Sequence, residues 1–241
     1  MSATLSLTES QTLTALRSFL LSVLPAGTEV VKGQDNRVSE PVGPNFVTMT
    51  PLLKSRLSTN VNTAQDCAFN GAISGNTLTV SSMILGAIAL NATLFGPNVL
   101  VGTTITGNVT GNGGVGTYTV SPAQTVAQQV MACGTQTMLQ ATKVTVQIDV
   151  HGPNSSDNAQ IITTAFRDSY ATDFFQSTGY DVSPLYADDA RQMPFLNGEQ
   201  QIEERWSIDA VLQTNPVLTL PQQYASELNV NIIDVDATYP A

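Results

Sequence analysis

Apolar residues recur along this chain in two rhythms, and the change between them locates its elements. Leu13, Leu16, Leu20 and Val23 fall three or four positions apart, which lines one face of a helix. Thr8 and Gln11 supply a capping box at its start, and Pro25 with Gly27 stops it. Val47 and Met49 predict a strand that ends near Pro51. The cleanest period of two places Val144, Val146, Ile148 and Val150 on one side and Lys143, Thr145, Gln147 and Asp149 on the other. Gly152-Pro153-Asn154 then turns the chain into a second helix, with Asp157 and Gln160 near its start. Ile162, Phe166 and Tyr170, four apart, mark that helix's apolar face. Trp206, Ile208, Ala210 and Leu212 alternate with Arg205, Ser207, Asp209 and Gln213 in another half-buried strand, and Leu228, Val230 and Ile232 predict a last one.

The grammar differs in the middle. No Lys, Arg, Asp, Glu or His stands between Asp66 and Lys143, whereas both flanks carry ordinary charge. Inside the neutral stretch the runs are short and alternating, as in 76–80, 103–106 and 117–120, with turn formers at Gly96-Pro97-Asn98 and Gly111-Asn112-Gly113-Gly114. Phe69, Ile73, Leu78, Val80, Leu94, Ile105 and Tyr118 recur through it, which argues for a small core rather than a disordered linker. The expected fold is α+β, a mostly antiparallel sheet with two helices on one face, interrupted by a small inserted all-β domain. The expected organisation is a discontinuous host domain of residues 1–66 and 138–241, with an uncharged β-rich insert at 67–137.

Composition narrows the function. Of 241 residues, 42% are apolar but only 12% are charged, about half the usual share of roughly 25%. Thr, Asn, Gln, Ser and Gly fill the polar positions, a surface suited to repeated protein–protein contact. The net charge is −10 with only 9 Lys and Arg, scattered along the chain. A nucleic-acid grip needs a basic footprint to displace counterions, so tight DNA binding is not expected. An acidic wall that lets DNA slide past is compatible with this charge. Two cysteines are too few for a disulfide-built secreted fold. The first residues lack the basic region of a signal peptide, and no stretch of about 20 purely apolar residues appears, so a protein made in the cytoplasm without a membrane span is expected.

Candidate chemistry is sparse. His151, the one histidine, ends a strand beside Gly152 and reads as a solvated residue, with no Cys or second His nearby to share a metal. Cys67 and Cys133 bracket the neutral stretch and become neighbours if it is a hairpin-like excursion, in which case the cytoplasm keeps them reduced. Gly111, Gly113 and Gly116 satisfy G-x-G-x-x-G, but a strand follows instead of the helix that a dinucleotide site requires. Carboxylates cluster at Asp188-Asp189, at Glu199, Glu203 and Glu204, and at Asp234 and Asp236. They lie in polar segments poor in the aromatic residues that bind sugar, and read as a solvated acidic face. No G-x-S-x-G elbow is present. No catalytic, cofactor-binding or metal-ligating residue is therefore assigned, and an enzyme is not expected.

Several segments outside the neutral stretch carry a resemblance. Arg17-Ser18-Phe19-Leu20-Leu21, Gly33-Gln34-Asp35-Asn36-Arg37, and Glu40-Pro41-Val42-Gly43-Pro44-Asn45-Phe46-Val47-Thr48-Met49-Thr50-Pro51 precede it. Glu204-Arg205-Trp206, Gln213-Thr214-Asn215-Pro216 and Pro221-Gln222-Gln223-Tyr224-Ala225 follow it. Together they resemble the neck (tail) terminator proteins of tailed bacteriophages over most of 10–66 and 139–236. Within the neutral stretch, residues 71–80 and 113–122 are similar to a β module that recurs in phage structural proteins. The resemblance implies a virion structural protein at the neck, without cofactor. It implies a hexameric ring of identical subunits that caps the tail tube. The tube protein, with the sheath as a further contact, would lie below, and a head-completion or connector protein above. Genomic DNA would pass through without specific binding. The alternatives are another neck or tube adaptor, against which the helix–sheet order argues, and a host-adhesion or carbohydrate-binding decoration through the β insert, against which the 6% aromatic content argues.

Overall fold

The computed structural model describes residues 3–34, 41, 43–196 and 202–222. Along the chain run β1 (Thr4–Leu5), α1 (Glu9–Val23), β2 (Glu29–Lys32), β3 (Phe46–Arg56) and β4 (Val61–Gln65). Then come β5 (Cys67–Gly86), β6 (Thr104–Asn108), β7 (Gly116–Ala132), β8 (Gly134–Leu139) and β9 (Thr142–His151). α2 (Ser155–Phe166), α3 (Ser169–Ser177), β10 (Val182–Ala187), β11 (Arg191–Gln192) and β12 (Phe195–Leu196) follow. The described chain ends with β13 (Ile202–Glu203), β14 (Arg205–Thr214) and β15 (Val217–Gln222). The strand expected through Leu228, Val230 and Ile232 lies outside the described residues. The chain divides into two compact units, one of Thr4–Asn62 with Thr137–Thr219, the other centred on Thr63–Gln136.

The first unit is built on a six-stranded sheet in the order β10-β14-β9-β3-β2, with β11 also pairing β14. β9 is its centre, antiparallel to β14 through Ile148↔Ile208 and to β3 through Ile148↔Met49, while β2 runs parallel to β3. The period of two in β9 and β14 turns Val144, Val146, Ile148, Val150, Ile208, Ala210 and Leu212 to one face, where all are buried. Leu16, Phe19, Leu20, Ile162, Phe166 and Phe175 of the helices complete the same core. α1 starts at the Thr8–Gln11 capping box, where the Thr8 Oγ1 accepts from the Gln11 amide at 3.3 Å and the Gln11 Oε1 accepts from the Thr8 amide at 2.7 Å.

Three helices cover this face, where the apolar spacing predicted two. The stripe Ile162, Phe166, Tyr170 implied one helix through Tyr170, but α2 stops at Phe166. Asp168 then caps α3, its carboxylate accepting from the Tyr170 amide at 2.9 Å. An aspartate that can bond a nearby amide favours a new helix start over an interior position. β3 also continues past Pro51 to Arg56. β2 pairs only as far as Met49, and the register with β9 slips between Pro51 and Leu53. The bulge accommodates a residue that cannot donate to the ladder.

The second unit holds a three-stranded antiparallel sheet in the order β5-β7-β6. β5 is 20 residues long and β7 is 17, both longer than the short runs read from the sequence. β5 carries register shifts at Gly71/Ile73 and Gly75/Thr77, so no single alternation persists along it. Phe69, Ile73, Leu78, Val80, Leu94, Ile105 and Tyr118 are all at most 2% exposed and form one core with Cys67, Val120, Met131 and Cys133.

Candidate functional site

His151 is 6% exposed, not solvated as its position at a strand end suggested. β9 is the central strand, so its last residue is flanked by Phe46 of β3 and Arg205 of β14. The imidazole stacks on the Phe46 ring with centroids 4.3 Å apart and planes 8° from parallel. Its Nδ1 lies 3.4 Å from a Glu203 carboxylate oxygen. Burial pulls the imidazole pKa below its usual value, against the carboxylates of Glu203 and Asp149, which favour the charged form. Asp149, also 6% exposed, accepts from the Gln147 amide nitrogen at 2.9 Å on both oxygens, and the Arg205 Nε lies 3.9 Å away. The sequence signals none of this, because neither the neighbours of β9 nor their register can be read from its alternation. Next to the cluster, Gly152 has φ +97°, and a Cβ there would collide with the Pro44 carbonyl. The arrangement fixes the end of β9 against the chain on either side.

In the second unit, Cys67 and Cys133 come together. Both are buried, with the Cys133 thiol donating to the Cys67 sulfur at 2.9 Å and the Cys133 amide donating to the Cys67 carbonyl at 3.1 Å. That thiol–thiol hydrogen bond, and then burial, push the Cys133 pKa up, while the same bond pulls the Cys67 pKa down against its own burial. The glycines of the G-x-G-x-x-G run serve packing. Gly111 lies against the Tyr118 ring with no room for a Cβ, and Gly116 has φ +146° at the start of β7. The buried Tyr118 hydroxyl donates to the Gly114 carbonyl at 2.6 Å.

The carboxylates divide. Asp189 is bound by Arg167 at 2.8 Å on the surface, and Glu203 faces His151. Glu199, Asp234 and Asp236 lie outside the described residues. Among the described residues no group of three or more His, Cys, Asp or Glu could hold a metal ion, and no helix is long and apolar enough to cross a membrane. A cavity of about 240 Å³ opens in the first unit between α1 and the sheet, lined by Leu7, Leu13 and Val144 with Glu9, Lys54 and Arg56.

The exposed apolar residues are more telling. In the first unit Leu52 and Leu53 are 50% and 58% exposed, and Leu185 and Tyr186 also face outward. In the second, Val101, Val109 and Val115 are at least 60% exposed. Exposed apolar side chains on a weakly charged surface are compatible with contacts to other proteins. The model of a family described as phage neck terminator protein matches residues 97–240. The chain belongs to that family, and is a structural protein of the bacteriophage neck. The match includes the β14 strand and Asn215-Pro216, begins inside the neutral stretch, and leaves out residues 10–66, which carry part of the resemblance. No curated protein matches the chain.

Proposed function

We propose that six copies of this chain close into a ring that caps the tail tube and joins it to the head-side connector. Membership of the neck terminator family carries the reading. Each subunit buries one surface against its neighbour, and cyclic symmetry closes the ring. One axial face meets the tube protein, with the sheath beside it, and leaves no site for another tube subunit. The other face meets the head-completion or connector protein. The function is associative and needs broad surfaces rather than a reaction centre. A net charge of −10 suits a channel wall along which genomic DNA passes without specific binding. Residues 67–137 form a β-rich insert within a host domain of 1–66 and 138–241, and serve as a decoration or partner contact. The loss of all charge from 67 to 142 and the compact unit at Thr63–Gln136 support that division.

Electron cryomicroscopy of the virion tests the ring. Six copies around the axis between tube and connector are expected; any other number, or a position away from the neck axis, overturns it. Particles assembled without this subunit should carry tubes of unregulated length and tails that fail to hold heads.

A further inference from the structure

We propose that the two edges of the six-stranded sheet are each other's partners in neighbouring copies of this chain, β10 of one copy meeting β2 and the distal half of β3 of the next. The proposal rests on the ring reading and names its subunit contact. The β10 edge is acidic. Asp181 precedes the strand and Asp188 and Asp189 follow it, all exposed, with no Lys or Arg from 181 to 189. Arg167 offsets Asp189, while Asp181 accepts from the neutral amide of Asn215 at 2.9 Å. Leu185 and Tyr186 stand between these charges at 44% and 46% exposure.

The opposite edge is basic. β3 continues from Thr50 to Arg56 beyond its last pair with β2, and from 46 to 57 it carries Lys54 and Arg56 with no Asp or Glu. Lys54 and Lys32 share one carboxylate, Glu9, at 3.0 and 3.4 Å, and Arg56 bonds the neutral Asn60. β2 also carries the half-buried Glu29, so three cations, Lys32, Lys54 and Arg56, stand against two carboxylates, Glu9 and Glu29, and a small positive excess stays on this edge around the exposed Leu52 and Leu53. The two runs match in reach. At ~3.3 Å per residue, Val182–Ala187 and Thr50–Arg56 each extend on the order of 20 Å.

Strand addition is hindered at β10 and at β2, and the contact is assigned to side chains. Pro184 and the register shift beside it interrupt β10. On the other edge the Arg17 Nε donates to the Val30 carbonyl of β2 at 2.9 Å. A two-fold dimer through either edge would set like charges against each other. Opposite edges meeting head to tail set unlike charges together, and a head-to-tail contact is the kind that closes a ring.

The test uses two charge-reversal variants of the full chain. Lys54→Asp with Arg56→Asp leaves both edges acidic, and Asp188→Lys with Asp189→Lys leaves both basic. The altered side chains are exposed, and circular dichroism with Trp206 fluorescence verifies that each variant folds. Sedimentation velocity should show each variant alone as a monomer at concentrations where the wild type assembles. The equimolar mixture should recover rings in which the two variants alternate, six being even. A wild-type ring with variants that assemble as well as it does, or a mixture that stays monomeric, overturns the edge assignment and leaves the ring reading standing. A wild-type chain that never assembles removes the ring reading itself.

Discussion

Replacing Phe19 by alanine tests whether the aromatic cluster under α1 holds the first unit together. Phe19 is fully buried, with the rings of Phe175, Phe166, Phe174 and Tyr170 at centroid distances of 5.5, 5.6, 5.7 and 6.3 Å. A buried phenylalanine removes roughly 150 Å² or more from water, which at ~25 cal/mol/Å² is about 4 kcal/mol. The cavity left behind and the lost edge-to-face contacts act in the same direction, and Phe→Ala changes in cores cost about 3–5 kcal/mol. Phe19→Leu keeps most of the volume and should cost no more than about 1.5 kcal/mol. Trp206, the one tryptophan, packs against this same core, so its fluorescence follows the first unit specifically. With a slope of about 4 kcal/mol/M in guanidinium chloride, the alanine variant should lower the midpoint by roughly 1 M at unchanged slope. A shift under ~0.3 M would refute the reasoning, because it would mean that the four rings close over the gap or never formed one cluster.

Other expectations follow from the sites. Oxidation of the folded protein with diamide should join Cys67 to Cys133 within one chain, seen as the loss of two hydrogens, about 2 Da, and closing a loop of that length should stabilise the second unit by roughly 4 kcal/mol; adducts or intermolecular dimers instead would contradict the pairing. Because burial depresses the His151 pKa, the unfolded chain takes up a proton first as pH falls below the usual 6.5. Stability from this group is therefore complete above that pH and is lost as pH falls toward the folded pKa, by up to ~1.4 kcal/mol per pH unit. His151→Phe should flatten that part of the pH–stability curve, and a curve parallel to wild type there would rule the histidine out as its source. Asp168→Ala should cost about 1 kcal/mol by removing the α3 cap, whereas Asn154→Ala, whose side chain makes no capping bond, should cost much less; equal denaturation midpoints for the two variants would show that the cap is not formed.

What the sequence determined is what depends on near neighbours. The Thr8–Gln11 box, the stripe of α1 and the alternation of β9 and β14 are set by residues a few positions apart, and the structure has each of them where the spacing put it. The buried residues of the neutral stretch were legible for the same reason, since seven apolar side chains in a polar background have few alternatives to a common core. The tertiary structure decided whatever depends on which strands lie side by side. His151 is buried because β9 is central, and Asp149 is buried by the same placement. β3 outlasts Pro51 because its register with β9 slips there. Cys67 and Cys133 touch across 66 positions because β5 and β7 pair along their length. The opposition of an acidic and a basic sheet edge is likewise invisible until the strand order is known. Periodicity is a local property of the chain, while register and strand order are chosen by the burial of all the elements at once.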